Sequence, residues 1–504
     1  MLLGARITDL WRLRRPLLVI SQTQRSWIKL HFSSLSEVKV SHSLDDECDD
    51  FLPWLQRKAG VEISSVLSIG KSAYGRTLFA SDIIQAGDCI LSVPYNVQLS
   101  PDYLHPDINT LLNGEISYVA KLAIVILVEQ RLGQDSDWAP YISCLPQLDE
   151  MHNTIFWSED ELEMIHQSSV YKETINQKSL IEKEFLAVRP AFERFPEVFE
   201  RITYKDFMHA YALGEHLQLQ DLHHYLFFSF GFLFKRYSDK FTINATVSSR
   251  AWGSTKGESL IPFADFLNHD GTSEAVVMSD EDKQLSEVIA DRDYSPGEQV
   301  LIRYGKFSNA TLLLDFGFTL PDNIHDQVHI QLNIPHHDPL REMKLEVLQR
   351  HHRPIGKDIH GINSSVGSFT IKEVKSASGK GKGIPQSLRA FARVLCCISS
   401  QELRDLAVEA EQTDGRLARR SLKNINREIE AHQFLISQIS QLIEDYHTSI
   451  ESLGPLSSPF VSGKLALRRK MALDLLNGEL RVLRSSYAWL ENYCATLTTT
   501  DYHQ

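Results

Sequence analysis

The sequence predicts an α+β fold in which a set of short strands is split by a helical insertion and followed by a helical tail. Three patterns carry that expectation. β-branched runs broken by glycines fill residues 61–100 and return over 241–303. Residues 105–236 read mostly as helices, and the chain beyond 330 ends in two long apolar stripes at helical spacing.

The first 36 residues stand apart, with Arg6, Arg12, Arg14, Arg15, Arg25 and Lys29 against the single acid Asp9 and a serine-containing end. An acid-poor, Arg- and Ser-containing start reads as an organelle transit peptide outside the fold. After the acidic DDECDD (45–50), FLPWLQRKAG predicts a short amphipathic helix ended by Gly60. VLSIGKSAYGRTLFA and IIQAGDCILSVP follow as strands, with Gly70, Gly75 and Gly87 as breakers.

The insertion then supplies SYVAKLAIVILVEQRL, SEDELEMIHQSSVYKETINQKSLIEKEFLAV and DLHHYLFFSFGFLFKR as helices. Strand signals return in FTINATV, EAVVM, LSEVIA and QVLIRY. SASGKGKGIP (376–385) reads as a mobile loop before the tail. There Ile425, Ile429, Ile436, Ile439, Ile443 and Tyr446 repeat at alternating four and three, with His432 where an apolar residue is expected. A last helix, KMALDLLNGELRVLRSSYAWL, predicts antiparallel packing against it.

At 504 residues the chain has room for roughly two to four domains. Its net charge of −13 argues against general binding to nucleic acid or to anionic membranes. No apolar run approaches the ~20 residues that span a bilayer. Six cysteines without a CxxC pair read as reduced core thiols, which disfavours a structural zinc site.

The chain also lacks GxGxxG after a strand, GxxxxGK[ST], GxSxG and HExxH. The most polar island in an apolar setting is FADFLNHD (263–270). Three readings compete for it: a metal site at Asp265, His269 and Asp270, a capped turn, or a cofactor pocket.

Read with its neighbours, the segment favours the third. TVSSRAW (246–252) lies upstream, and PGEQVLIRYGKFSNATLLLDFGF (296–318) lies downstream. Together with YGRTLFA and the GD…VP strand pair, these motifs resemble, in order, the SET-domain methyltransferases. The branch they resemble most is the plant lysine methyltransferases that act on the ribulose bisphosphate carboxylase large subunit and on plastid aldolase.

The resemblance implies a SET domain over 45–320 with its helical insertion at about 105–236, and a helical substrate-binding domain over 330–504. It implies S-adenosylmethionine as methyl donor, with no metal. By the same resemblance Ala73 and Tyr74 flank the methionine part of the cofactor and Arg250 meets its carboxylate. Asn268 and His269 face its adenine and amino group. Tyr304 matches the active-site tyrosine, and Phe316 and Phe318 wall the pocket. Asp265 is expected to brace the NH turn.

Two departures bear on specificity. Phe316 stands where relatives carry the tyrosine of DYGF, and SEAVVMSDEDKQ has no aromatic where relatives often place a lysine-pocket tyrosine. The expected function is methylation of a lysine in a protein substrate, a plastid enzyme among the candidates, by a monomer in the chloroplast stroma or mitochondrial matrix. The alternatives are a SET-fold protein-binding module with weak or no catalysis and a histidine-directed methyltransferase.

Overall fold

The computed structural model describes residues 48, 50–72, 75–112, 116–214, 251–254, 257–351, 367–412, 415–454 and 463–501. Ala73, Tyr74, Arg250, the expected strand FTINATV and the helix DLHHYLFFSFGFLFKR lie outside the described residues.

Helix α1 (Phe51–Ala59) ends as its sequence predicts. Gly60 adopts φ 71° and its N–H returns to the Gln56 carbonyl, a left-handed cap that suits glycine. Strands β1 (Leu67–Ser72) and β2 (Gly75–Ala80) pair antiparallel, from Leu67 opposite Ala80 to Ser72 opposite Gly75. Strand β3 (Cys89–Pro94) forms one edge of a three-stranded sheet whose other members appear only after the insertion.

That insertion is helical as far as it is described. In α2 (Tyr118–Leu132) Ser117 caps the start by accepting from Ala120 N–H at 3.1 Å. The near-continuous apolar run Val119–Leu127 is buried, as expected of a helix packed on several sides. Helix α4 (Tyr204–Gly214) packs along it, and α3 (Ser169–Arg194) packs against α4.

The returning strands are β4 (Ala251–Ser254) with β5 (Gly257–Leu260), β6 (Asn268–His269), β7 (Val277–Asp280), β8 (Leu285–Ile289) and β9 (Leu301–Ile302). The sheet order is β3-β8-β7, so a strand from before the insertion pairs with one from after it. The strand set split in sequence is thus joined in space.

The C-terminal part opens with β10 (Gln327–Gln331) and β11 (Ser368–Lys372), an antiparallel pair. Helices α5 (Gln386–Leu395), α6 (Ser400–Gln412), α7 (Ile425–Leu453) and α8 (Gly463–Asp501) follow. The last two pack extensively on each other, as the stripes predicted.

The buried face of α7 is nevertheless turned from the predicted one. Glu428, Ala431, His432, Leu435, Ile439 and Tyr446 are buried, while Ile425, Ile429, Ile436 and Ile443 are only partly so. The cause is polar. Arg393 of α5 grips Glu428 with two hydrogen bonds of 2.9 and 2.6 Å, and His432 Nε2 accepts from Arg389 at 3.2 Å. These bonds fix the rotation of α7 against α5.

The expected mobile loop is anchored instead. Trp489 Nε1 donates to the Gly379 carbonyl at 2.8 Å, and a Cβ at Gly381 would lie 2.6 Å from the Trp489 ring. The glycines of GKGKG serve close packing.

Two apolar cores result. One joins α1, α2, α4 and the strands, and the other fills the C-terminal helices and β10–β11. Leu312 belongs to the first, whereas Leu313 and Leu314 belong to the second. The motif SNATLLLDFGF therefore sits where the two meet. Among the described residues no helix is long and apolar enough to cross a membrane.

Candidate active site

FADFLNHD folds as a tight turn leading into a two-residue strand. Phe263, fully buried, holds φ 76° and ψ −47°, a strained γ-turn geometry for a side chain of that size. Asp265 N–H then reaches back to the Ile261 carbonyl at 3.1 Å. Asn268 and His269 run parallel to Leu301 and Ile302, so the polar pair lies directly beside the strand that leads to Tyr304.

Asp265 is buried and its Oδ2 accepts from the Tyr141 hydroxyl at 2.5 Å. Tyr141, on the short helix Ala139–Cys144, is itself packed on Phe51, which meets the edge of Phe266. The metal reading does not assemble from these residues. Asp265 lies in a 3-10 turn and His269 in a strand, not on one helical face, and each is engaged by a protein donor.

Tyr304 is bound at both ends to that turn. Its N–H donates to His269 Nδ1 at 3.0 Å, and its hydroxyl donates to the Leu267 carbonyl at 2.7 Å. Because Nδ1 accepts, a neutral His269 carries its proton on Nε2. Burial pulls the His269 pKa down to about 4, against the raising effect of Asp270, so the ring is neutral at physiological pH.

An aromatic cage surrounds the tyrosine. Ring centroids lie 5.1 Å from His269, 5.3 Å from Phe316 and 6.4 Å from Phe318, and Phe307 backs Phe316 at 5.7 Å. Tyr304 and Phe307 are buried, whereas Phe316 and Phe318 remain partly exposed.

The wall owes its shape to a turn. Leu312–Phe316 forms a π-helical turn closed by Gly317 at φ 74°. A Cβ there would lie 2.7 Å from the Asn153 nitrogen, so glycine is required both for the dihedral and for the approach. Asn153 Nδ2 in turn donates to the Asp315 carbonyl at 2.6 Å. The insertion thereby pins the loop that carries both phenylalanines.

From the other side the C-terminal helices hold the same loop. Asp326 accepts from Asn309 N–H at 2.9 Å and from Arg481 of α8 at 3.2 Å, and Thr319 donates to Asp474 at 2.9 Å. Burial pushes the Asp326 pKa up to about 6 despite these partners.

Of the site residues expected from sequence, the structure gathers Asp265, Asn268, His269, Tyr304, Phe316 and Phe318 around one turn and one strand end. Sequence reasoning missed Tyr141, Asn153, Phe307 and the Leu267 carbonyl. Tyr141 and Asn153 stand in the insertion with no local signal. Phe307, two residues past the IRYG motif, was in view and unassigned.

One donor is left over. The buried Asn268 Nδ2 has no hydrogen-bond partner among the described residues. A buried amide donor without a partner costs free energy unless a ligand satisfies it. A nucleoside-bearing ligand with acceptor groups fits that position, and the neighbouring half-exposed aromatics fit its apolar parts.

Comparison with known proteins finds two family matches along the chain. The SET domain family model matches residues 75–305, and the Rubisco LSMT substrate-binding model matches residues 335–483. The chloroplastic ribulose-1,5 bisphosphate carboxylase/oxygenase large subunit N-methyltransferase of Pisum sativum is 28% identical over 64% of this chain. That match spans 62% of the pea protein, less than two thirds of its length.

The chloroplastic [fructose-bisphosphate aldolase]-lysine N-methyltransferase of Arabidopsis thaliana is 23% identical over 99% of this chain and 93% of its own. The actin-histidine N-methyltransferase of Homo sapiens is 25% identical over 89% of this chain and 69% of its own. Among solved structures, Rubisco LSMT bound to sinefungin and monomethyllysine superposes with a TM-score of 0.66 at 22% identity. It covers 90% of this chain and 94% of that one, a likeness of fold.

Proposed function

We propose that this chain, a SET-domain protein carrying a Rubisco LSMT substrate-binding domain, transfers a methyl group from S-adenosylmethionine to a lysine side chain of a protein substrate. The observation that carries the reading is Tyr304, held by its own N–H and hydroxyl to the NH turn, inside an aromatic cage and beside the orphaned Asn268 amide. The plant relative named for lysine methylation of aldolase, and the Rubisco LSMT structure bound to monomethyllysine, support the choice of lysine.

When bound, S-adenosylmethionine supplies an electrophilic methyl group on a sulfonium centre. The chain's own residues do the rest. Asn268 and the His269 backbone would hold the nucleoside, and Ala73, Tyr74 and Arg250 are proposed to receive the methionine part. With its proton directed at the Leu267 carbonyl, the Tyr304 oxygen serves any other neighbour only as an acceptor, which suits weak C–H···O contact with a polarised methyl.

His269, kept neutral, adds no positive charge to a site that must accommodate a cation. Phe316 and Phe318 narrow the channel and exclude water, favouring a neutral incoming amine. From a reference pKa near 10.4, neutralising a lysine at about pH 8 costs about 3 kcal/mol in water, and an apolar wall lowers that cost. In-line transfer then depends on alignment rather than on a covalent nucleophile.

The domain limits proposed are 45–320 for the SET part and 330–504 for the substrate-binding part, with 1–36 as a transit peptide. Chloroplastic relatives favour a plastid destination over the mitochondrial matrix and make a plastid enzyme the first substrate to try.

The test is calorimetric titration with S-adenosylmethionine, followed by labelled methyl transfer to plastid extract and mass spectrometry of the labelled residue. Tyr304→Phe is expected to keep cofactor binding and lower kcat by about 10- to 100-fold. Absence of cofactor binding by the wild-type chain would refute the enzyme reading. Binding without transfer favours the binding-module alternative, and label on histidine favours the relative from Homo sapiens as the guide.

A further inference from the structure

The strand that delivers Tyr304 also delivers positive charge to the edge of the site. Arg303 and Lys306 flank it in sequence. His325 lies in the loop tied to Phe307 through Asn323, whose Nδ2 donates to the Phe307 carbonyl at 2.9 Å. Lys372 stands opposite Gln327 in the β10–β11 pair, two residues beyond His325. The four groups share one neighbourhood: burial lowers the His325 pKa, and Lys306, Arg303 and Lys372 lower it further.

The charge continues outward along the anchored glycine loop. Lys372 N–H donates to the Gly383 carbonyl at 2.9 Å, which sets Lys382 beside the strand end, and Lys375 follows in the same segment. Lys306, Lys372, Lys375 and Lys382 are exposed. Among the described residues neither they nor Arg303 make a side-chain ion pair or hydrogen bond. The neighbouring acids are already in use. Asp322 and Glu373 lie 3.5 Å from Arg481, and Asp270 accepts from Thr272.

Such a track is unexpected in a chain of net charge −13, where chance exposure favours acids. Unpaired like charges repel one another and persist most readily where a partner of opposite sign meets them. The track starts beside Tyr304 and is short and local, which suits a patch of carboxylates around one target residue better than a polyanionic duplex.

We propose that Lys306, Lys372 and Lys382, with Arg303 at the inner end, form a docking track for acidic residues that surround the target lysine on the protein substrate. This rests on the methyl-transfer reading for the identity of the target. The track itself is tested by binding alone.

The probe is a short fluorescein-labelled peptide with a central lysine flanked by Asp and Glu, compared with its Asn and Gln analogue by fluorescence anisotropy. The full chain is expected to bind the acidic peptide about tenfold more tightly, since several exposed charge pairs add modestly. The preference should shrink as salt rises. Lys306→Glu with Lys372→Glu should abolish it, and the corresponding Gln variants should fall between, with thermal melts confirming that all fold.

Equal affinity for the two peptides overturns the proposal. So does tighter binding of a duplex RNA of matched length, or an unchanged preference in the charge-reversed chain. Calorimetry with S-adenosylmethionine on the same samples separates the two readings, because failure there strikes the methyltransferase reading and leaves the peptide result standing.

Discussion

Glu479 gives the sharpest physical test of the way the C-terminal helices meet the insertion. It lies on α8, fully buried, with Ser168 Oγ donating to Oε1 at 2.9 Å and the Tyr446 hydroxyl 3.0 Å from Oε2. The same hydroxyl lies 3.2 Å from the Gln167 carbonyl, and one proton cannot serve both acceptors. A protonated Glu479 resolves this by donating to Tyr446, which then donates to Gln167. Burial pushes the Glu479 pKa from 4.5 up to about 8, and no cation pairs with it among the described residues.

The folded chain therefore holds this proton more tightly than the unfolded chain does. Its contribution to stability is full below about pH 4.5 and is lost as pH rises through about 8. At about 1.4 kcal/mol per tenfold in proton affinity, the loss amounts to about 5 kcal/mol. Asp326, raised to about 6, adds a loss of the same sign earlier in the range. Chemical denaturation of the wild-type chain and of Glu479→Gln between pH 5 and 9 isolates the Glu479 share. The variant should lose the steep fall and become the more stable of the two above about pH 8. Parallel profiles would refute the protonated chain of hydrogen bonds.

Two further outcomes follow from the same packing. Gly478→Ala would ordinarily stabilise an exposed helix by about 1 kcal/mol, yet here a Cβ would sit 2.0 Å from Asp326 Oδ2. Displacing Asp326 should instead cost about 3 kcal/mol in denaturant unfolding, and a neutral or stabilising result would contradict the contact. Tyr141→Phe removes the hydroxyl that meets Asp265 and should cost about 1–3 kcal/mol. It should also weaken S-adenosylmethionine binding in calorimetry, because Asp265 braces the turn that carries Asn268; unchanged affinity would reduce the brace to packing alone.

The sequence announced the fold wherever structure is local. Gly60, Gly87 and the apolar run of α2 place their turns and helix without reference to anything distant. Candidate-site residues near one another along the chain were also legible, since Asp265, Asn268 and His269 share a single turn and Tyr304 follows β9, the strand that pairs with it. What stayed hidden depends on distant partners. Tyr141 is 124 residues from Asp265, and no spacing rule links them. The stripe on α7 was visible, but its rotation was not, because Glu428 looks like a solvent-facing acid until Arg393 is placed against it. His432 did break the apolar pattern, and a buried Arg389 contact is the reason.

A further set of distant contacts lies along α8, and their order along the helix explains why the C-terminal helices should matter to chemistry elsewhere. Arg468 reaches Glu161 and the Met151 carbonyl in the insertion, Asp474 meets Thr319 beside Phe318, and Arg481 holds Asp326 behind the loop that carries Phe316 and Phe318. Further along, Trp489 fixes the glycine loop that bears Lys382. At about 1.5 Å per residue, the stretch from Asp474 to Trp489 spans roughly 22 Å. One rigid helix thus sets the separation between the aromatic wall and the outer end of the cationic track. Apolar packing alone would tolerate small slides along that seam, whereas the directional bonds at Asp474 and Arg481 and the close approach of Gly478 to Asp326 do not. The polar character of the seam, costly as burial makes it, is what allows the proposed docking surface and the proposed methyl-transfer site to be held in register.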